Sequence, residues 1–422
     1  MRLLAVLLGL TPLIVVESGL RLRDAPVASA VDHDPWVNLE QLQPLFVLDS
    51  SSGRWLIPES RMNFFRPASF DAVKSTQTRR IFVLGGSTVQ GRPYSTETAF
   101  STWLQLRLQA ANPELAFEVV NCGGVSYASY RVSKILDEVL QHQPDAIVLY
   151  TGHNEFLEDR TYAEIRSMSP ATRTISRLAS KLETVRWLRE RFAARPIKAT
   201  ELASEVNARL DHSGGLASYV RDPVWRSHVE RHFAETFQRM IAAARHAGVP
   251  LLVCLPASDL VNTPPIKTTE RPGLNPSQLS RFRTHWERAT HTDAEPDARL
   301  SALRACLEID PEHAGAHFVT GRLRLDRGEV DLAIRHLVAA RDDDVCPLRA
   351  TSPITQAIVE ITRQQDVPLI DTARLFDQRD RSGAKRPDGI VDPELFVDHV
   401  HPTIVGHQQL AAEILAGLRA AE

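Results

Sequence analysis

The sequence predicts an α/β fold built on a central parallel sheet, and three observations indicate this class. Short apolar runs of strand length alternate with stretches of helical period. Each run ends in small or polar residues, where parallel sheets place their ligands. The 422 residues are 43% hydrophobic and 24% charged, which is the composition of an ordinary globular chain with a sizeable core.

The elements follow in order along the chain. Apolar runs predict five strands, at 80–84, 117–120, 146–150, 250–255 and 367–371. Helical periodicity predicts the helices between and after them, at 98–111, 129–142, 227–247, 352–365 and 403–420. The alternation of strand and helix favours a parallel sheet with helices on its faces.

Residues 1–23 resemble an export segment. Arg2 precedes an uncharged stretch from Leu3 to Val16, and charge returns at Glu17. The stretch is short for a membrane span of about 20 residues, so three interpretations stay open: an uncleaved anchor, a cleaved signal, or a buried helix. An anchor places the protein at the cell membrane on its extracytoplasmic or periplasmic face, and a cleaved signal makes it secreted.

Three further segments flank or interrupt the predicted sheet. Residues 24–78 form a polar lead-in with scattered aromatic side chains, and residues 160–225 are expected to be an inserted helical cap. Residues 280–344 carry small residues such as Ala314, Gly321 and Ala333 at offsets that let two helices pack closely. This pattern resembles a tetratricopeptide (TPR) unit, of which about one and a half repeats are visible. We expect this helical insert to pack on the rest of the chain and to be a candidate surface for a protein partner.

Charge and cysteine content exclude some functions. With 49 basic and 52 acidic residues the formal net charge is −3, so no basic field predicts binding to nucleic acid. The four cysteines, Cys122, Cys254, Cys306 and Cys346, lack CxxC or other metal spacing, which favours buried free thiols.

One set of polar residues at the strand ends meets the needs of an ester hydrolase. Such an enzyme needs a serine activated by an imidazole, and a carboxylate that orients the imidazole. It also needs donors for the oxyanion, each worth about 2.7–4 kcal/mol. Ser87 follows Gly85 and Gly86 after the first strand, and Asp398 stands three residues before His401 just ahead of the last helix. The segment 121–126 and Asn154 follow the second and third strands and supply candidate oxyanion donors.

These four segments, in this order, resemble the four blocks of the SGNH hydrolase superfamily over residues 81–411. The segments GGSTVQGRPYS, YTGHNEF and FVDHVHPT together resemble a bacterial GDSL-like group with an N-terminal anchor and a TPR-like insert. The resemblance implies a flavodoxin-like three-layer α/β/α fold for residues 79–275 and 345–422. It also implies Ser87 as nucleophile, His401 as base, Asp398 as its orienting carboxylate and Asn154 as oxyanion donor.

The chain departs from the family pattern at two motifs. The usual GDS is Gly85-Gly86-Ser87, and the usual GxND has become GHNE at 152–155. For the second block, composition favours the backbone N–H of Gly124 as oxyanion donor, whereas counting five from Asn121 gives Ser126. Gly124 is the first choice and Ser126 its rival.

Other interpretations of the same residues fit the sequence less well. A G-x-S-x-G elbow fails because Val89 stands where the second glycine belongs, and a P-loop fails for want of its lysine. Metal binding by His401 with His399 and His407 is the alternative to a catalytic base, but no HExxH pattern supports it.

The sequence therefore predicts an esterase that needs no metal or organic cofactor. The expected substrates are acyl esters, among them O-acyl groups of envelope or extracellular polysaccharide. An O-acyltransferase acting on a glycan and a catalytically idle TPR-type scaffold remain as alternatives.

Overall fold

The computed structural model describes residues 34, 36–39, 42–160, 200–376 and 392–421, which divide into two units. In the smaller unit, strand Val37–Asn38 pairs in parallel with strand Thr200–Glu201. The predicted export segment, residues 1–23, lies outside the described residues. Within those residues, none of the helices combines the length and the apolar character that crossing a bilayer requires.

The larger unit begins at Gln43, within the predicted lead-in. Strands β1 (Val47–Asp49), β2 (Arg54–Leu56) and β3 (Ser69–Asp71) form a small antiparallel sheet. The aromatic residues Phe46 and Phe65 of this segment are buried, at 2% and 1% exposure. They pack against residues outside the small sheet, Phe46 near Phe82 and Phe65 near Tyr127.

A five-stranded parallel sheet forms the centre of this unit, as predicted. Its strands are β4 (Thr78–Gly85), β5 (Ala116–Gly123), β6 (Ala146–Tyr150), β7 (Leu251–Cys254) and β8 (Leu369–Ile370). They lie in the order β8-β7-β6-β4-β5, which is the flavodoxin-like order with the first strand beside the third. The apolar residues of β4 are buried on both faces, which explains why its sequence is a continuous run without alternation.

Helices cover both faces of this sheet and also form the insert. In chain order, the α-helices of the described residues are α1 (Ser87–Gln90), α2 (Phe100–Ala111), α3 (Ser129–Val139), α4 (Pro223–His246), α5 (Pro276–Thr290), α6 (Pro296–Ile309), α7 (Ala314–Asp326), α8 (Val330–Asp342), α9 (Ser352–Gln364), α10 (Thr372–Phe376) and α11 (Ile404–Ala421). Helices α2 and α11 pack together over Val83 and Val148, while α3, α4 and α9 pack together away from them. This is the three-layer α/β/α arrangement that the family resemblance implied.

The predicted helical cap at 160–225 can be compared with the structure over residues 200–225, and the two differ between 200 and 222. Residues 161–199 lie outside the described residues. Between 200 and 222 the chain forms two short 3-10 turns, Arg209–Asp211 and Gly215–Ser218, and no α-helix. Gly214 and Gly215 interrupt the helical pattern of the sequence here, and Gly215 takes a left-handed φ of 43°. Helix α4 then begins earlier than predicted, because the Asp222 side chain accepts a hydrogen bond from the Trp225 N–H and caps it.

The predicted insert at 280–344 is helical, as expected. Helices α5 and α6 pack together, as do α7 and α8, and the pairs share a core with Phe282, Leu303 and Leu323. Gly321 gives α7 and α8 their close approach, because a Cβ at this position would lie 2.7 Å from the Leu337 side chain. The hairpins match the pattern of small residues, while their identity as TPR repeats stays a prediction.

All four cysteines are free and buried, which confirms the prediction of buried thiols. Burial raises the pKa of the Cys306 thiol to about 11 and that of the Cys346 thiol to about 12.

Candidate active site

Ser87 lies at the first turn beyond the carboxyl end of β4. Gly85 must lack a side chain, since a Cβ there would lie 2.0 Å from the Tyr150 carbonyl oxygen of the neighbouring strand. Gly86 is extended, and the four-residue helix α1 begins at Ser87, ends at Gln90 and is capped by Gly91, whose φ of 98° suits glycine. This tight strand-to-helix turn puts the Ser87 side chain at the carboxyl edge of the sheet.

His401 and Asp398 meet Ser87 although they lie more than three hundred positions later. The Ser87 Oγ is 2.7 Å from His401 Nε2, and His401 Nδ1 is 2.7 Å from Asp398 Oδ2. Because Nδ1–H donates to the carboxylate, Nε2 is left to accept the proton of the Ser87 hydroxyl. The structure therefore brings together the three side chains that the sequence singled out.

Asp398 is held as a carboxylate by its surroundings. Its Oδ1 accepts hydrogen bonds of 2.9 Å from the backbone N–H groups of Val400 and His401. Burial alone would raise the pKa of Asp398, but the hydrogen bonds from the His401 ring and the two N–H groups hold it well below its usual range. A charged carboxylate can orient the imidazole and stabilise it when it is protonated.

The second block forms a loop whose N–H groups are used in different ways. The Gly124 N–H donates to the Gly85 carbonyl at 3.0 Å, and the Val125 N–H donates to the Phe64 carbonyl at 2.8 Å. The Gly124 N–H is therefore already engaged, which favours its rival Ser126 as the second-block oxyanion donor. The N–H of its rival, Ser126, has no acceptor in the described part of the chain, and Ser126 takes a left-handed φ of 64°.

Asn154 lies beside the nucleophile turn, as predicted. Its Nδ2 donates to the Tyr127 carbonyl at 3.1 Å, which uses one of its two N–H groups. The same nitrogen lies 2.6 Å from the position that a Cβ of Gly86 would occupy. The absence of a side chain at Gly86 thus lets the amide approach the turn that carries Ser87.

The neighbouring histidines have other partners than a metal ion. His153 accepts a hydrogen bond at Nδ1 from the Ala350 N–H, and burial lowers its pKa to about 3. His407 accepts at Nδ1 from the Phe100 N–H at the start of α2, and burial lowers its pKa to about 4. His399 lies with Nδ1 3.5 Å from Asp398 Oδ1. Within the described ranges, no group of three or more His, Cys, Asp or Glu is arranged to hold a metal; that the site needs no cofactor stays a prediction.

Two residues that support the site were missed from the sequence. Glu155 is fully buried and accepts hydrogen bonds from the N–H and hydroxyl of Ser129, at 2.7 and 2.9 Å. Asn121 donates through Nδ2 to the Val89 carbonyl at 2.7 Å and accepts from the Gly123 N–H at 2.9 Å. No local pattern links Glu155 to a helix that begins 26 positions earlier, whereas a polar Asn121 inside an apolar strand was a signal that could have been used.

Comparisons with known proteins give likenesses of overall shape. No family model matches the chain, and no curated protein matches it. A lipolytic protein of the G-D-S-L family from Desulfitobacterium hafniense DCB-2 is 9% identical, with 80% of this chain and 98% of that chain covered and a TM-score of 0.35. An acetyl xylan esterase from Geobacillus stearothermophilus is 13% identical, with 82% and 96% covered and a TM-score of 0.35. The lipase/acylhydrolase from Enterococcus faecalis is 14% identical, with 81% and 96% covered and a TM-score of 0.36.

Proposed function

We propose that the chain is a serine ester hydrolase of the SGNH type. The observation that carries the proposal is the continuous hydrogen-bonded chain from the Ser87 hydroxyl through the His401 imidazole to the Asp398 carboxylate, with two contacts of 2.7 Å. A nucleophile and its base within hydrogen-bond reach, with the base oriented by a third group, is the arrangement that acyl transfer to serine requires.

The residues have the following roles in this proposal. His401 Nε2 takes the Ser87 proton while Oγ attacks the ester carbonyl, and Asp398 stabilises the imidazolium that forms. Three donors hold the oxyanion of the tetrahedral intermediate: the N–H of Ser87, the N–H of Ser126, and the second Nδ2–H of Asn154. His401 then gives its proton to the leaving alcohol oxygen, and a water molecule, deprotonated by the same imidazole, releases the acid from the acyl-enzyme.

We assign acyl esters as the substrate class, and O-acyl groups of envelope or extracellular polysaccharide as the natural esters. The second assignment depends on the export-type sequence of residues 1–23, which directs a protein to where such polymers are found. The same sequence supports a location at the membrane on the extracytoplasmic or periplasmic face, or secretion after cleavage. The helical insert, residues 280–344, is the candidate contact surface for a protein partner.

Covalent labelling tests the proposed function. The wild-type chain should react with a fluorophosphonate probe and hydrolyse p-nitrophenyl acetate, and Ser87→Ala should lose the label and about 1,000-fold or more of the rate. Ser280→Ala, at an exposed position on α5, is the matched control and should keep both. A wild-type chain that neither labels nor hydrolyses would overturn the proposal and favour the idle scaffold.

A second experiment distinguishes ester hydrolysis from acyl transfer to a glycan. Purified wild-type protein is incubated with an acyl donor, with and without an acceptor glycan, and the free acid and the acylated glycan are both measured. An esterase releases acid at a rate that does not depend on the glycan. Acyl groups that accumulate on the glycan in place of free acid would instead identify an O-acyltransferase.

A further inference from the structure

Glu155 joins the third block of the site, residues 152–155, to the first turn of α3. Its carboxylate accepts the Ser129 N–H at 2.7 Å and the Ser129 hydroxyl at 2.9 Å, and the residue is fully buried. The residue at the N-cap position of α3 is Ala128, whose side chain has no acceptor. Glu155 therefore supplies from another segment the acceptor that a helix N-terminus lacks, and a carboxylate there also interacts favourably with the helix dipole.

The loop that precedes α3 is strained at Ser126. Ser126 has a φ of 64°, a conformation that non-glycine residues adopt only when the surroundings fix it. One end of the loop is fixed by the Gly124 and Val125 N–H groups, which donate to the Gly85 and Phe64 carbonyls. The other end is fixed where Glu155 binds Ser129. The left-handed residue thus lies between two anchored ends.

The same two segments also touch through Asn154, the residue next to Glu155. Asn154 Nδ2 donates to the Tyr127 carbonyl, so neighbouring residues of the third block hold the chain just after the second block, at Tyr127 and at Ser129. We propose that Glu155 is a positioning residue that fixes the distance between the Ser126 N–H and the Asn154 amide, the two oxyanion donors outside the nucleophile turn. This inference rests on the proposed function, since it concerns donors that act only in the esterase reaction.

The length of the side chain is part of the argument. The family pattern GxND has aspartate where this chain has Glu155, and aspartate is one methylene shorter. Glu155→Gln keeps the reach and one acceptor oxygen for the Ser129 N–H, whereas Glu155→Ala removes both acceptors. Because a misplacement of about 1 Å can lower a rate about 100-fold, the two variants should differ in kcat.

The test measures kcat, KM, melting temperature and phenylboronic acid inhibition in the full chain, with active sites counted by fluorophosphonate titration. Per titrated site, Glu155→Ala should lower kcat about 10- to 100-fold, leave KM within about twofold, and weaken the boronate in parallel, because the boronate forms a tetrahedral adduct with Ser87. Glu155→Gln should regain most of that loss.

Glu138→Gln is the matched structural control. Glu138 lies on α3, the helix whose first turn Glu155 binds, and its carboxylate also accepts two N–H groups, those of Leu45 and Phe46, at 2.7 and 2.8 Å. This variant should lower the melting temperature and leave kcat per titrated site unchanged.

The inference fails if the Glu155 variants have a lower melting temperature but keep both the kcat and the boronate affinity of the wild type. If Glu155→Ala does not fold, Glu155→Asp decides, because it keeps the carboxylate and shortens its reach by one methylene: a kcat and a boronate affinity equal to those of the wild type contradict the role. A wild-type chain without activity is a failure of the proposed function, and the two failures are therefore distinguishable.

Discussion

At the scale of single residues, the nucleophile turn depends on glycines for two different reasons. Gly85 has no room for a Cβ because the Tyr150 carbonyl of the adjacent strand would lie 2.0 Å away. Gly86 has the Asn154 amide nitrogen 2.6 Å from its Cβ position. The absence of a side chain at Gly86 therefore lies where the amide approaches Ser87.

Substitution of Gly86 should impair catalysis more than stability. In Gly86→Ala the new methyl group must displace the Asn154 amide, and kcat for p-nitrophenyl acetate should fall about 10- to 100-fold. The control is Gly214→Ala, where the nearest heavy atom to the new Cβ is 3.5 Å away. The control should keep its kcat. A wild-type kcat in Gly86→Ala would show that Asn154 can shift without cost to the reaction.

The residue types at the site could be predicted better than the individual hydrogen bonds. Ser87, Asn154, Asp398 and His401 follow strands or precede the last helix, and their chemistry limits what they can do there. The choice between Gly124 and Ser126 was different, because it depends on how far the ladder between β4 and β5 continues. Gly124 still donates to the Gly85 carbonyl one residue beyond β5, and composition does not reveal that.

At the scale of elements, strands and helices were predicted best where the hydrophobic pattern of the sequence is strongest. The five strands of the sheet are buried runs, and all five lie within the predicted segments or overlap them. The segment 200–222 was predicted as part of the helical cap at 160–225, but 3-10 turns form there because local glycines favour turns over a regular helix. Element type is thus predictable where burial imposes a pattern, and poorly predictable where the chain is polar.

The close contact between α7 and α8 leads to a prediction about the stability of the fold. In Gly321→Val the side chain would enter the space of Leu337, since the Cβ position is 2.7 Å from its Cγ and 3.1 Å from the Ala333 carbonyl. We expect overpacking to lower the free energy of unfolding by about 1–3 kcal/mol in urea denaturation. Ester hydrolysis per folded molecule should be unchanged, because these helices contribute no residue to the proposed machinery.

The control for this variant is Leu332→Ala, a change at a side chain of α8 that is 37% exposed. Such a surface change should alter the free energy of unfolding by no more than about 0.5 kcal/mol. Equal effects of the two variants would contradict close packing at Gly321.

At the scale of the whole molecule, a buried ion pair joins the helical insert to the rest of the larger unit. Arg221, just before α4, donates through both terminal nitrogens to the Asp310 carboxylate between α6 and α7, at 2.7 and 3.0 Å. The side chains are 11% and 0% exposed. Burial alone would raise the pKa of Asp310, but the Arg221 guanidinium and the backbone N–H groups of Arg271 and Glu312 lower it. Asp310 therefore stabilises the folded chain as a carboxylate.

Removal of Arg221 should destabilise the fold in a pH-dependent way. Arg221→Ala leaves the Asp310 carboxylate buried without its guanidinium, which costs about 3–5 kcal/mol of unfolding free energy at pH 7. Because the folded pKa of Asp310 lies below that of the unfolded chain, about 3.9, the contribution is complete above that pH and is lost as pH falls through the folded value. The difference between wild type and variant, measured by urea denaturation, should shrink in that acidic range.

Arg327→Ala is the control, since Arg327 pairs with Asp297 at the surface, with side chains 39% and 85% exposed. Exposed pairs contribute about 0–1 kcal/mol. An Arg221→Ala variant no less stable than this control would mean that the buried pair does not hold the insert in place.

The 314 positions that separate the serine from its imidazole have a consequence for biosynthesis. A ribosome completes the first strand and its serine long before it adds residue 401, so every nascent chain carries an unactivated hydroxyl through most of translation. Chains that terminate early, or are cut before the last helix, lack the base altogether. Under the proposed function, the ability to attack esters therefore arises only when synthesis and folding are finished.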